Sequence, residues 1–77
     1  MRKITTEELK EILRKHEMWL NDNSQGEKAD FSRVDLSCAY LYEEDLSKAE
    51  LSEAELSEAN LYRANLRYAN LRYANLS

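Results

Sequence analysis

Two hydrophobic periodicities meet near residue 28, and they call for different elements. In residues 4 to 21, Leu9, Ile12, Leu13, His16 and Leu20 recur at i, i+3, i+4, i+7 and i+11, the spacing that gathers side chains on one face of a helix. Thr5 is placed as the N-cap with Glu8 completing a capping box, and Ile4 before the cap can staple onto Leu9. Glu11 and Lys15 add an i, i+4 pair in the favourable order. The run from Asn21 to Gly26 stops the helix, because Asn, Asp and Ser compete for backbone hydrogen bonds and Gly26 is the only glycine of the chain.

From Ala29 onward an apolar residue returns at every fifth position: Phe31, Leu36, Leu41, Leu46, Leu51, Leu56, Leu61, Leu66, Leu71 and Leu76. Two residues before each stands alanine, except for Val34 and Glu44. Between the two lies Asp, Glu or Asn, with Tyr40 as the exception. A straight helix cannot use this pattern, since a step of five advances about 140° and scatters the leucines around the cylinder. A flat strand fails too, because an odd step sends successive leucines to opposite faces. The chain must therefore turn once per unit, with the leucine and its partner alanine inside and the other three residues outside, which is the logic of a solenoid.

The runs Ala59-Asn60-Leu61, Ala64-Asn65-Leu66, Ala69-Asn70-Leu71 and Ala74-Asn75-Leu76 resemble the pentapeptide repeat proteins, whose signature is A(D/N)LXX. The resemblance covers residues 29 to 77. It implies an all-β solenoid, a right-handed quadrilateral β-helix with four units per coil and about two and a half coils. The N-terminal segment ending in His16-Glu17-Met18-Trp19-Leu20 is similar to the helical caps that some members carry. The expected organisation is a capping helix and turn over residues 1–28 and the repeat β-helix over 29–77.

Four units per coil stack residues 20 apart, so Tyr42 is expected over Tyr62, Glu43 over Arg63, Arg33 over Glu53, and Asp30 over Glu50 over Asn70. The expected core is Phe31, Leu36, Leu41, Leu46, Leu51, Leu56, Leu61, Leu66 and Leu71. Burial of such side chains is worth about 1.5 to 3 kcal/mol each, largely offset by ordering the chain, so the ends matter most. Leu9, Ile12, Leu13, Trp19 and Leu20 are expected to lie as a lid over the first coil. Glu44 at an inward position is costly unless it reaches water or meets a cation such as His16 or a lysine of the lid.

Composition narrows the function. The chain has 77 residues, a net charge of −4, no proline and one cysteine. No disulfide can form within it, and no apolar run is long enough for a membrane span or signal peptide, so a cytoplasmic protein is expected. Cys38 stands without a local histidine and His16 without a second ligand. No phosphate loop, nucleophile elbow or zinc spacing occurs, so catalytic residues, metal sites and cofactors are all expected to be absent.

Residues 43 to 58 carry Glu43, Glu44, Asp45, Glu50, Glu53, Glu55 and Glu58 against Lys48 alone. Some proteins of the resembled family mimic duplex DNA and bind type II topoisomerases such as gyrase, which is the alternative function. A four-sided coil spreads these acids into a girdle, however, and spreads Arg63, Arg67 and Arg72 over three faces, so binding to nucleic acid is not expected either. The expected function is a non-enzymatic protein-interaction or scaffold module, bacterial by resemblance, with an unknown protein partner. At the C-terminal coil, Leu66, Tyr68, Leu71, Tyr73 and Leu76 are the expected contact of a homodimer that covers an open edge.

Overall fold

The computed structural model describes residues 1–77. Its regular elements are β1 (Arg2–Lys3), α1 (Thr6–Asn21) and β2 (Val34–Asp35), with β1 and β2 paired in parallel. The rest of residues 29–77 carries single-residue bridges. Asp30 pairs with Glu50, Asp35 with Glu55, Tyr40 with Asn60, Asp45 with Asn65, Glu50 with Asn70 and Glu55 with Asn75, all parallel and all 20 residues apart.

The one long element is the expected N-terminal helix, and extended ladders are confined to two residue pairs. The reason lies in the unit length. A corner every five residues leaves too few extended residues between corners for a ladder to form.

The corners are uniform. In each unit the N–H of the alanine position donates to the carbonyl of the preceding leucine position, as in Val34 to Phe31 at 3.1 Å and Ala49 to Leu46 at 3.0 Å. The residue just before that N–H has φ between 59° and 64° at all nine such turns, from Arg33 to Tyr73. Positive φ at the third turn residue alone is the type II geometry, which favours glycine. This chain places Arg, Cys, Glu, Lys and Tyr there instead.

Between corners the backbone is tied across coils. Leu46 N–H donates to the Asn65 carbonyl at 2.7 Å, Lys48 N–H to Arg67 at 2.9 Å, and Asn65 N–H returns to Glu44 at 2.9 Å. The residue between alanine and leucine also secures its own corner. Asp30, Asp35, Asp45, Asn60, Asn65, Asn70 and Asn75 accept through Oδ1, and Glu50 and Glu55 through Oε1, from the N–H two residues on. A short side-chain oxygen at that place is the chemical reason for the Asp/Asn column. Tyr40 has no such oxygen.

Inside lie Ala29, Phe31, Val34, Leu36, Leu41, Leu46, Ala49, Leu51, Ala54 and Leu56, all buried. Leu61, Leu66 and Leu71, expected in the core, are only partly buried, because a coil adjoins them on one side alone. On the outside, Arg33 pairs with Glu53 at 3.1 Å, Arg63 with Glu43 at 3.4 Å, and the rings of Tyr42 and Tyr62 stack at 5.8 Å.

α1 begins at its capping box, with Glu8 N–H donating to Thr5 Oγ1 and Thr5 N–H to Glu8 Oε1, both at 3.0 Å. The helix–core contact differs from expectation. Ile4, Leu9, Ile12 and Leu13 pack on the buried cluster, whereas Leu20 and Trp19 are half-buried and do not. Trp19 instead stacks on the His16 ring at 5.7 Å. Glu11 bonds Arg14 at 2.6 Å rather than Lys15, which reaches Glu27 at 3.4 Å. Gly26 has φ +63°, and a Cβ there would collide with the Lys15 carbonyl oxygen where the chain turns back under the helix.

Lys48 gives the cleanest test of the corner geometry, because its side chain is exposed and joins no ion pair while its φ is 64°. Lys48→Val should cost about 1–2 kcal/mol, since β-branched residues resist positive φ, while Lys48→Gly should change stability by about 1 kcal/mol or less. Urea melts of the two variants check this. Equal stability of the valine and glycine variants would show that the corner is not built this way.

Candidate interaction surfaces

The seam between α1 and the first coil is built around His16, the only buried polar side chain. Its Nδ1 accepts from the Ala29 N–H at 2.9 Å, and its Nε2 lies 2.8 Å from the Ser47 carbonyl. Accepting at Nδ1 leaves the proton on Nε2, which donates to Ser47. Both bonds have a meaning in the coil. At later corners the alanine-position N–H donates to a leucine carbonyl, and a carbonyl such as that of Ser52 accepts from an N–H of the previous coil, Arg33, at 3.0 Å. Ala29 has no unit before it to offer that carbonyl, and Ser47 has no earlier coil beneath it. One imidazole supplies both missing partners.

β1 substitutes for the earlier coil on another face. Arg2 and Lys3 pair with Val34 and Asp35 in parallel, and Ile4, next in line, packs on the core as a unit leucine does. Lys3 Nζ lies 3.9 Å from Asp35 Oδ2. Sequence reasoning missed this strand, and the only available signal was that Arg2, Lys3 and Ile4 end on an apolar residue just before the cap.

Glu44 finds neither His16 nor a lysine. It is half-buried and joins no ion pair, and burial together with the negative charge of Glu17 holds its carboxyl above the ordinary carboxylate range. It borders a groove between α1 and the first coil, with Tyr40, Ala39 and Cys38 on the same wall. The Tyr40 ring is 69 % exposed and stacks on Tyr42 at 6.0 Å. Cys38 is a free, exposed thiol. No group of three or more His, Cys, Asp or Glu side chains is arranged to hold a metal ion, and no helix is long and apolar enough to cross a membrane.

At the other end, Leu66 and Leu71 are half-buried while Tyr68, Tyr73 and Leu76 are exposed, Leu76 by 54 %. Arg67 lies over the Tyr68 ring and Arg72 over the Tyr73 ring, each at 5.8 Å. Among the inter-coil bonds, the N–H groups of Leu61, Leu66 and Leu71 and the carbonyls of Ala59, Ala64 and Ala69 take no part.

Two predictions follow from the seam and the carboxylates. His16→Leu should remove about 2–5 kcal/mol, because it strands a buried N–H and a buried carbonyl that each cost about 1–3 kcal/mol when unpaired. Chemical denaturation measures this, and a loss below about 1 kcal/mol would mean that water replaces the ring.

The second prediction concerns acid. The Ser32 and Ser37 hydroxyls and N–H groups hold Asp30 and Asp35 below the usual carboxylate range. A carboxylate depressed in the folded state adds stability that is present above its unfolded pKa and lost as pH falls through the folded value. Asn at these places keeps the Oδ1 bond, as Asn65 does to the Arg67 N–H at 3.0 Å. Asp30→Asn combined with Asp35→Asn should therefore leave the neutral melting temperature close to wild type and reduce the loss on acidification below pH about 4. An unchanged acid limb would assign that loss to other groups.

The family model for pentapeptide repeats matches residues 45–77. No curated protein matches the chain. The matched span starts one residue after Glu44, so it begins where the departures at Tyr40 and Glu44 end, although the inter-coil bonds already run through Phe31 to Leu41. Its alanine, Asp/Asn and leucine columns each have a structural task, and residues 45–77 carry the pentapeptide repeats that this family model describes.

Proposed function

We propose that this chain is a non-enzymatic protein-interaction module. It would consist of a right-handed quadrilateral β-helix over residues 29–77 capped by residues 1–28, working in the bacterial cytoplasm and self-associating through its last coil. The observation that carries the reading is the half-covered apolar face of Leu61, Leu66 and Leu71 beside the exposed Leu76, with the unpaired backbone groups along the same rim. A regular row of free N–H and carbonyl groups over an apolar floor is a surface for pairing with another chain. A two-fold contact between two such coils joins like to like and closes the assembly. Tyr68 and Tyr73, with Arg67 and Arg72 over their rings, supply the rim.

The acidic residues support this reading over a gyrase-binding DNA mimic. Glu43, Glu53 and Glu58 occupy corners while Asp45, Glu50 and Glu55 occupy bridge positions, so the charge encircles the coil instead of forming a stripe.

Light scattering coupled to size exclusion at two salt concentrations tests self-association. A dimer at micromolar protein is expected, tighter at high salt because Arg63, Arg67 and Arg72 of two copies face each other and are screened. Leu76→Lys should give a monomer. A monomer mass for the parent chain at both salt concentrations overturns the dimer.

A further inference from the structure

Tyr40 and Glu44 are where the repeat pattern fails most sharply, and they lie on one wall of one groove. Tyr40 stands where every other unit places Asp, Glu or Asn, and Glu44 where most place an inward alanine. The groove runs between α1 and the first coil, has a volume of about 570 Å³, and includes Ile4, Leu9, Leu13 and Leu36 in its apolar lining. That size lies within the range of ligand-binding clefts.

The backbone along this wall is an open strand edge. In the coil above, Asn60 N–H donates to the Ala39 carbonyl and the Asn60 carbonyl accepts from Leu41 N–H, both at 2.9 Å. The equivalent N–H and carbonyl of Tyr40 have no protein partner, and neither do those of Asp45. On the preceding face β1 fills this role at Val34–Asp35. After Thr5 the chain leaves the edge to form α1, so the pairing that Arg2–Lys3 begin is not continued at Tyr40.

Charge defines what would continue it. Glu44 and Lys10 are shared between the groove and a smaller cavity beside it that Glu17 also lines, and neither carboxylate joins an ion pair. Arg14 lines that cavity too, but its guanidinium is held by Glu11 at 2.6 Å, which leaves Lys10 as the unpaired cation against two carboxylates. Burial first, and the charge of Glu17 after it, hold the Glu44 carboxyl above the ordinary carboxylate range.

We propose that this groove binds an extended segment of a partner protein, which adds as a strand along the Tyr40 edge with apolar side chains turned inward and a lysine or arginine against Glu44. The register of β1 sets the direction as parallel. An alanine–X–leucine triplet then places its small residue over Ala39 and turns its leucine toward the apolar wall of Leu9, Leu13 and Leu36, and a basic residue two or three places later reaches Glu44. Main-chain bonds give the affinity, and the cation gives the preference. The proposal rests on reading the chain as a protein-interaction module, and it uses the end opposite to the self-association surface.

The test uses two labelled hexapeptides, Ala-Asn-Leu-Ser-Lys-Lys and its twin ending in two glutamates, titrated against the full chain by fluorescence anisotropy. The basic peptide is expected to bind at least fivefold tighter, to lose that advantage at high salt, and to shift the amide resonances of Tyr40 and Asp45. Glu44→Ala restores the residue of the other units, so the fold is retained, as circular dichroism will check, and the basic preference should vanish. Equal affinity for the two peptides, no binding of either, or an unchanged preference in Glu44→Ala overturns the proposal. Light scattering in the same buffer separates this result from self-association, because a monomer that still discriminates the peptides removes the dimer and keeps the groove.

Discussion

The hydrogen bond from Leu46 N–H to the Asn65 carbonyl, repeated at every unit from Phe31 to Leu56, ties each coil to the next, and the other features of residues 29–77 answer to it. For that bond to recur, the backbone must return to the same place after 20 residues, which forces a corner every five. A corner so frequent needs a positive φ at one residue and a side-chain oxygen at another. It also leaves only two inward positions per unit, and filling those with one leucine and one alanine lets neighbouring units meet inside without crowding. The positive-φ residues are an accepted strain, and the inter-coil bonds on either side of each corner hold them there.

The choice between Asp and Asn at the bridge position leaves the coil's geometry alone and alters its response to acid. Both supply Oδ1 to the N–H two residues on, but only the carboxylate ties that bond to pH. Apart from Tyr40, the bridge positions from Asp30 to Glu55 are acids and those from Asn60 to Asn75 are asparagines. Stacked columns show the consequence: Glu50 is lowered chiefly by Ser52, eased further by a bond from Asn70, and opposed by the charge of Asp30 above it. An asparagine in such a column gives a hydrogen bond where another acid would give repulsion.

A coil needs something beneath its first turn, and here three unlike pieces provide it. β1 pairs with one face, the His16 ring stands in for a turn carbonyl and a corner N–H, and the apolar stripe of α1 covers the core. The cover is incomplete at Tyr40 and Asp45, where edge groups remain free beside Glu44. Stabilisation of the first coil and the opening of a groove thus come from one arrangement, since a helix cannot satisfy a strand edge along its whole length.

The five-residue period, the amphipathic helix with its Thr5–Glu8 cap, and the 20-residue pairing of Arg33 with Glu53 and Tyr42 with Tyr62 were all legible in the sequence, because each depends on spacing alone. Spacing is local information, and a repeat multiplies it. What happens at the ends depends on which groups lack a neighbour, and only the folded chain decides that. The two bonds of His16, the strand at Arg2–Lys3, the stacking of Trp19 on His16 in place of a core contact, and the solitary position of Glu44 have no periodic signature. Each is set by where a non-repeating segment meets a repeating coil, and the bonds made there join residues from 13 positions apart, His16 and Ala29, to 32 apart, Arg2 and Val34.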